Sequence, residues 1–232
     1  MWSLQDLKEG KVLLVDKPLE WTSFDVVNKI RATIRHTFAI KKIKVGHAGT
    51  LDPLATGLLI VCVGKATKQI VDFQGLDKRY EGVLKLGATT PTYDAEAEED
   101  AQYALAHINN DMIVEASKSF IGETDQVPPI YSAIKKNGVR LYKLARKNQD
   151  IAIEPRRVQI HALAIEHIDM PHVSFSVVCS RGTYIRSLAY DLGRKLHSGA
   201  YLNALRRTHI GRFDVVDAWQ VEELVQQIKQ LK

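Results

Sequence analysis

From Leu58 to Val63 the chain carries six apolar side chains in succession, Leu-Leu-Ile-Val-Cys-Val, its longest such run. Six residues fall far short of the ~20 that cross a bilayer, and the run has no polar alternation of the kind a half-wet strand shows. It therefore reads as a buried strand. The chain is long enough, at 232 residues with 45% hydrophobic side chains, to close a core around that strand. Its 25% charged share excludes wholesale disorder. The two cysteines, Cys62 and Cys179, lie far apart inside strand-like apolar stretches. That excludes a disulfide framework and a Cys-rich zinc site, and it fits core thiols in a reducing cytoplasm. The opening residues Met1 to Asp6 have neither the basic segment nor the apolar run of a secretory signal.

Other elements fall in around this strand. Lys11 to Val15 reads as a strand ended by Asp16-Lys17-Pro18. Thr22 or Ser23 caps a helix whose apolar residues recur at Val26, Val27, Ile30 and Ile34. Lys41 to Thr56 is a polar, glycine-containing connection, Ala66 to Phe73 a helix and Tyr80 to Leu86 a strand. Residues 88–109 form an acidic connection to a short helix over Asp111 to Phe120. Val158 to Ile168 and Val173 to Cys179 pair as strands, and the second alternates. Arg181-Gly182-Thr183 turns into a helix bearing Ile185, Leu188, Ala189, Leu192 and Leu196 on one face, and Val221 to Leu231 is a final helix. The spacing is not that of regular βαβ units, so the expected class is α+β with a mixed sheet.

Charge is segregated along the chain. Residues 91–127 hold nine acids against Lys118 alone, which leaves +13 on the remainder of a chain whose net charge is +5. Three basic clusters stand out: 26–51 with six Lys/Arg and no acid, 131–157 with eight, and 179–212 with seven. Clusters of this kind meet a polyanion, nucleic acid first, although basic side chains also solvate ordinary helices. The stretch from Val127 to Pro155 combines Pro128-Pro129 and Asn137-Gly138 with many cations and reads as a protruding, mobile excursion.

The chemistry concentrates in Gly46-His47-Ala48-Gly49-Thr50-Leu51-Asp52-Pro53-Leu54-Ala55-Thr56-Gly57. Its glycines permit tight backbone turns, Pro53 biases Asp52 toward an extended conformation, and the buried strand directly behind it would hold the loop firmly. A short carboxylate so presented suits a nucleophile or a base; an Asp-Pro that only caps a turn has the same appearance. Arg186, at the polar edge of its helix, is the candidate to keep Asp52 ionised by a bidentate contact. Tyr80 and Tyr184 offer flat faces for an unpaired base, though either could equally sit at a core edge. Gly64-Lys65-Ala66 imitates a phosphate loop, but Leu59 and Ala66 occupy positions where a P-loop needs Gly and Ser/Thr. The eight histidines form no metal-binding pattern, and no metal site is expected.

These residues resemble the TruB family of tRNA pseudouridine synthases. The matching pieces are Val15-Asp16-Lys17-Pro18, the Gly46–Gly57 block, Gly64-Lys65-Ala66-Thr67-Lys68, Asp77-Lys78-Arg79-Tyr80, and Leu86-Gly87 with Asp94. Pro128-Pro129-Ile130-Tyr131-Ser132-Ala133, Arg181 to Arg186, and Leu205-Arg206-Arg207 follow in the family's order. The resemblance implies a pseudouridine synthase fold, with a largely antiparallel mixed sheet flanked by helices and an insertion at about 128–156 that closes over RNA. It implies conversion of uridine 55 in the T-loop of tRNA to pseudouridine, without cofactor or metal. Asp52 falls on the family's catalytic aspartate. Tyr80 falls on the tyrosine that stacks on the target base, Tyr184 and Arg186 on its site tyrosine and arginine, Leu205 on a pocket leucine, and His47 on the histidine that fills the space of flipped bases. About 20 residues follow Phe213, too few for the PUA-type module of longer relatives, so one catalytic domain over 1–232 is expected. The implied enzyme is a cytoplasmic, stand-alone monomer that binds the T-arm, needs no guide RNA and touches no membrane. Two other readings stay open: a non-catalytic protein that remodels tRNA, and a synthase acting on another RNA.

Overall fold

The computed structural model describes residues 2–132, 134–136, 138–141 and 153–231, with the backbone alone at 135, 136, 139 and 140. The chain divides into two compact units, Met1–Tyr80 with Leu205–Lys232, and Glu81–Ala204. Helices and strands are mixed in both, and strand pairing is largely antiparallel, in agreement with the α+β expectation.

In the first unit, α1 (Leu4–Gly10) leads into β1 (Lys11–Lys17), followed by α2 (Ser23–Thr37), β2 (Val45–Ala48) and β3 (Ala55–Val63). A 3₁₀ turn over Gly64–Gln69 continues into α3 (Ile70–Gly75), so the expected single helix is two short pieces. β3 is the axis of this unit. One edge pairs along its length with β1, antiparallel from Lys11↔Val63 to Lys17↔Gly57. The other edge is shared. Ala55 to Gly57 pair in parallel with Leu205 to Arg207 of β12 (Ala200–Ile210), and Ile60 to Val63 pair antiparallel with β2.

Both faces of β3 are covered, as its unbroken apolar run requires. Leu59, Val61 and Val63 face a cluster with Val26, Val27, Ile30 and Ile34 of α2. Val221, Leu224, Val225 and Ile228 of the last helix join it. Leu58, Ile60 and Cys62 face a second cluster with Ala48, Ala66 and Ile210. Burial pushes the Cys62 thiol up to about 11, which fits an inert core thiol. A reciprocal capping box fixes the start of α2: Asp25 N–H donates to Thr22 Oγ1 at 3.1 Å and Thr22 N–H to Asp25 Oδ2 at 2.8 Å.

The second unit contains β4 (Lys78–Leu86, from Glu81 onward), β5 (Ala88–Thr89), β6 (Ala101–Gln102), α4 (Asn110–Lys118) and β7 (Gly122–Gln126). The ribbon β8 (Lys135–Lys136) and β9 (Val139–Arg140) follows, then β10 (Arg156–Asp169), β11 (His172–Cys179) and α5 (Ile185–Lys195). Its strand order is β4-β11-β10-β7. β10 and β11 pair antiparallel, and Val173, Phe175, Val177 and Cys179 of β11 point inward on alternate positions. The helix after Arg181-Gly182-Thr183 buries Ile185, Leu188, Ala189 and Leu192, the expected face. The remaining elements belong to the first unit: β13 (Phe213–Asp214), β14 (Trp219–Gln220), which lies parallel to β1, and α6 (Val221–Lys229).

The structure also adds elements to the sequence reading. The connection 41–56 contains β2, the acidic connection 88–109 contains the β5–β6 ribbon, and α1, β7, β12, β13 and β14 are further elements. Much of the basic excursion, residues 133, 137 and 142–152, lies outside the described residues. Its described part includes the β8–β9 ribbon and Leu141, which is buried.

Candidate active site

The Gly46–Gly57 block leaves β2 at Ala48 and enters β3 at Ala55, so a six-residue loop carrying Asp52 is tied to two strands of one core. The loop is fixed at nearly every step. Asp52 C=O accepts from Ala55 N–H at 3.1 Å, closing a turn with Pro53 at its second position. Ser23, buried at the start of α2, accepts from Leu51 N–H at 2.8 Å and donates to Leu51 C=O at 3.1 Å. Pro53 C=O accepts from Glu20 N–H at 2.9 Å and from Lys17 Nζ at 3.2 Å.

Two buried cations brace this loop. Lys17, at the end of β1, has no exposed surface and also donates to the Pro18 and Trp21 carbonyls. Burial pushes its ammonium down to about 8; the Asp52 charge opposes that shift and the Arg207 charge adds to it. Arg207, on β12, is 1% exposed and donates from Nε to Leu58 C=O at 2.8 Å and from Nη2 to Gly49 C=O at 3.0 Å. Gly57 makes this close approach possible: its φ is +103°, and a Cβ there would sit 2.7 Å from the Arg207 amide nitrogen. Neighbouring Arg206 turns the other way and grips Asp16 with two bonds, Nη2–Oδ2 at 2.6 Å and Nη1–Oδ1 at 3.1 Å.

The other sequence-predicted residues of this unit lie on the same framework. His47 sits on β2, paired with Val61, and burial followed by the Arg207 charge holds its pKa below the usual 6.5. Leu205 pairs with Ala55 at the start of β3. Tyr80 is buried at the third position of β4.

Arg186 and Tyr184 belong to the second unit. Tyr184 is the N-cap residue of α5, and the Gln126 side chain holds its backbone. Gln126 Oε1 accepts from Tyr184 N–H at 2.7 Å, and Nε2 donates to Tyr184 C=O at 3.0 Å. Arg186 is 6% exposed; its Nε lies 3.5 Å from Asp94 Oδ2, and it donates to the carbonyls of Thr92 and Tyr131 at 3.0 Å each. Asp94 is buried too, and its Oδ1 accepts from Glu96 N–H at 3.0 Å. The guanidinium thus arrives already oriented, with a carboxylate partner the sequence reading did not assign to it.

Lys17, Ser23, Gln126 and Arg207 are further positioning residues, outside those expected from the sequence. Strand alternation would have found Arg207, since one of two adjacent arginines on a strand must face inward. The others gave no such signal. Among the described residues no cluster of His, Cys, Asp or Glu could hold a metal ion, and no helix is long and apolar enough to cross a membrane.

Comparison with known proteins bears on the same segments. Residues 35–185 match the family described as "TruB family pseudouridylate synthase (N terminal domain)", and residues 186–232 match "tRNA pseudouridylate synthase B C-terminal domain". The chain is 54% identical over 215 residues to a protein of Flavobacterium johnsoniae named tRNA pseudouridine synthase B, covering 92% of this chain and 94% of that one. A protein of the same name from Chlorobaculum tepidum is 46% identical over 222 residues, covering 95% and 92%. Among solved structures, a Cbf5-Nop10-Gar1 complex contains a chain that aligns with a TM-score of 0.70 at 29% identity. An H/ACA RNP bound to a substrate RNA containing 2'-deoxyuridine gives 0.69 at 26%. This chain is covered to 95% and 97% in those alignments but spans only 54% and 55% of the partner chains.

Proposed function

The chain belongs to the TruB family of pseudouridylate synthases, and from that premise we propose that it isomerises uridine 55 in the T-loop of tRNA, with Asp52 acting on the flipped nucleotide. It is an isomerase of tRNA uridine. The observation that supports Asp52 in this role is the dense bonding of its loop, tied through Gly49, Leu51, Asp52 and Pro53 to four different elements, β12, α2, β3 and β1.

The reaction breaks the bond from N1 to the ribose, turns the uracil and forms a bond from C5 to the ribose, while the C5 proton is lost and N1 gains one. Atoms and electrons balance within the nucleotide, so the chemistry requires no co-substrate. A base stacked in an RNA loop must first leave the stack, at a cost of a few kcal/mol. Tyr80 supplies a flat face for the detached uracil and is placed in our reading to assist at C5. Arg186, Tyr184 and Leu205 are the further residues we assign to uridine recognition, and we assign His47 to the space that flipped bases leave. With the base retained, rejoining is effectively intramolecular, and exclusion of water protects the intermediate from hydrolysis.

We place the enzyme in the cytoplasm as a monomer acting without guide RNA. The near full-length match to proteins named tRNA pseudouridine synthase B supports stand-alone action. The test is incubation with an unmodified tRNA transcript and position-resolved detection of pseudouridine. Wild type should convert position 55 alone. Asp52→Asn should form no product while binding tRNA within about tenfold of wild type, about 1.4 kcal/mol. Turnover by Asp52→Asn, with deamidation excluded, would overturn the assignment; wild type that binds tRNA without product would favour a non-catalytic remodeller.

A further inference from the structure

Helix α2 carries an outward stripe that the reaction above does not use. Phe24, Asn28, Arg31 and Arg35 recur at helical spacing along one side of the helix, bordering the buried Val27, Ile30 and Ile34; Phe24 and Arg35 are exposed, Asn28 and Arg31 half-buried. Phe24 is 59% exposed, and Leu19, five residues earlier, is 54% exposed. Exposed apolar side chains of this size are ordinary when they occur singly. These two, however, flank the segment that grips the catalytic loop, where Glu20 N–H and Ser23 Oγ bind Pro53 and Leu51. The Arg31 guanidinium lies over the Phe24 ring, 5.9 Å from its centroid, and is held there by Asn28 Oδ1 and Val45 C=O at 3.0 Å each.

The surroundings are cationic. Residues 26–51 contribute Lys29, Arg31, Arg35, Lys41, Lys42 and Lys44 without one acid, and the single acid of α2, Asp25, is engaged in the cap with Thr22. An exposed aromatic ring with a fixed guanidinium beside it, at the head of the short Arg31–Arg35 row, matches single-stranded nucleic acid: a base for the ring's open face and phosphates for the row. A protein partner would have to be acidic along that row and apolar at one end.

We propose that Phe24, with Arg31 and Arg35, forms a second RNA subsite outside the target-uridine pocket, stacking one unpaired base and tracking the phosphates that follow it. The inference rests on the tRNA-modifying reading and gives it a strand-holding surface tied directly to the loop of Asp52.

The experiment measures binding of tRNA and of an isolated T-arm hairpin to full-length protein over a salt series. Phe24→Ala should weaken binding roughly tenfold, within the range for removal of one stacked base. Phe24→Leu, which keeps apolar area without a ring, should bind as weakly. Phe24→Trp should bind like wild type, and Arg35→Gln should flatten the log–log salt slope by about 0.7–0.9. Melting curves check that each variant is folded, and Arg35→Gln reports on the row should Phe24→Ala fail to fold. Wild-type affinity in Phe24→Ala or Phe24→Leu, or an unchanged slope in Arg35→Gln, overturns the proposal. So does loss of self-association in Phe24→Ala with RNA affinity intact, which would assign the face to a second copy. Failure here with an active wild type leaves the catalytic reading standing; a wild type that makes no pseudouridine removes that reading instead.

Discussion

Arg207 is the side chain through which the catalytic loop is most exposed to damage. Its guanidinium is the donor that reaches both Leu58 and Gly49 across the mouth of the loop. Arg207→Met leaves the buried Leu58 carbonyl and the half-buried Gly49 carbonyl without that donor, at roughly 1–3 kcal/mol for the buried one and less for the other. Urea unfolding should show a loss of about 3 kcal/mol, and single-turnover pseudouridine formation should fall with it. A second readout belongs to charge alone. Arg207 helps hold the His47 pKa down, so in Arg207→Met an NMR titration should show His47 moving up toward 6.5; no movement would remove the charge from the account. Lys17 gives a pH prediction. Its pKa is about 8 folded against 10.5 unfolded, so between those values the unfolded chain binds the extra proton and stability rises with pH. The unfolding free energy of wild type minus that of Lys17→Met should be flat below about pH 8 and climb from there toward 10.5. A difference that is flat or falling across that window would contradict the burial of this ammonium.

At the scale of elements, the covered strand β3 carries the stability of the first unit. Leu59 is fully buried against α2 and α6, so Leu59→Ala should cost about 2–5 kcal/mol in denaturant unfolding. Val71→Ala, at a side chain 68% exposed, should stay within about 0.5 kcal/mol. The contrast shows why some elements were legible in the sequence and others were not. β3, α2, β11 and α5 owe their burial to their own apolar periodicity, which is written in the residues. β7 is Gly-Glu-Thr-Asp-Gln with only Gln126 buried, and β2 has four residues including Gly46 and His47. These are strands because β10 and β3 pair with them, a tertiary cause that local propensity does not carry. β12 is similar, with Asn203 and two arginines interrupting its apolar positions. The loop of Asp52 was recognisable from its glycines, its proline and the strand behind it. What its braces bind was not: alternation shows that one of Arg206 and Arg207 faces inward, but Lys17 and Arg207 donate to backbone carbonyls, and a carbonyl acceptor leaves no mark in a sequence.

On the scale of the whole molecule, charge separates an acidic stretch at 91–127 from three basic clusters, and RNA affinity should follow the latter. Neutralising Lys135, Lys136, Arg140 and Lys143 together should weaken tRNA binding and flatten its salt slope by roughly 0.7–0.9 for each phosphate no longer bound, as filter binding at several salt concentrations would show. An unchanged slope would exclude the 131–157 cluster from the interface. Chain order imposes a further condition. The unit that holds Asp52 is assembled from both ends of the polypeptide, and the bond from Arg207 to Gly49 spans 158 positions. On a ribosome adding about 5–20 residues per second, the glycine emerges roughly 8–30 s before the arginine that secures it. During that interval β3 lacks one partner strand and the loop lacks one of its two cationic braces. A chain released before Leu205 would carry every residue of the Gly46–Gly57 block, held by Lys17, Glu20 and Ser23 but open on the side that Arg207 closes.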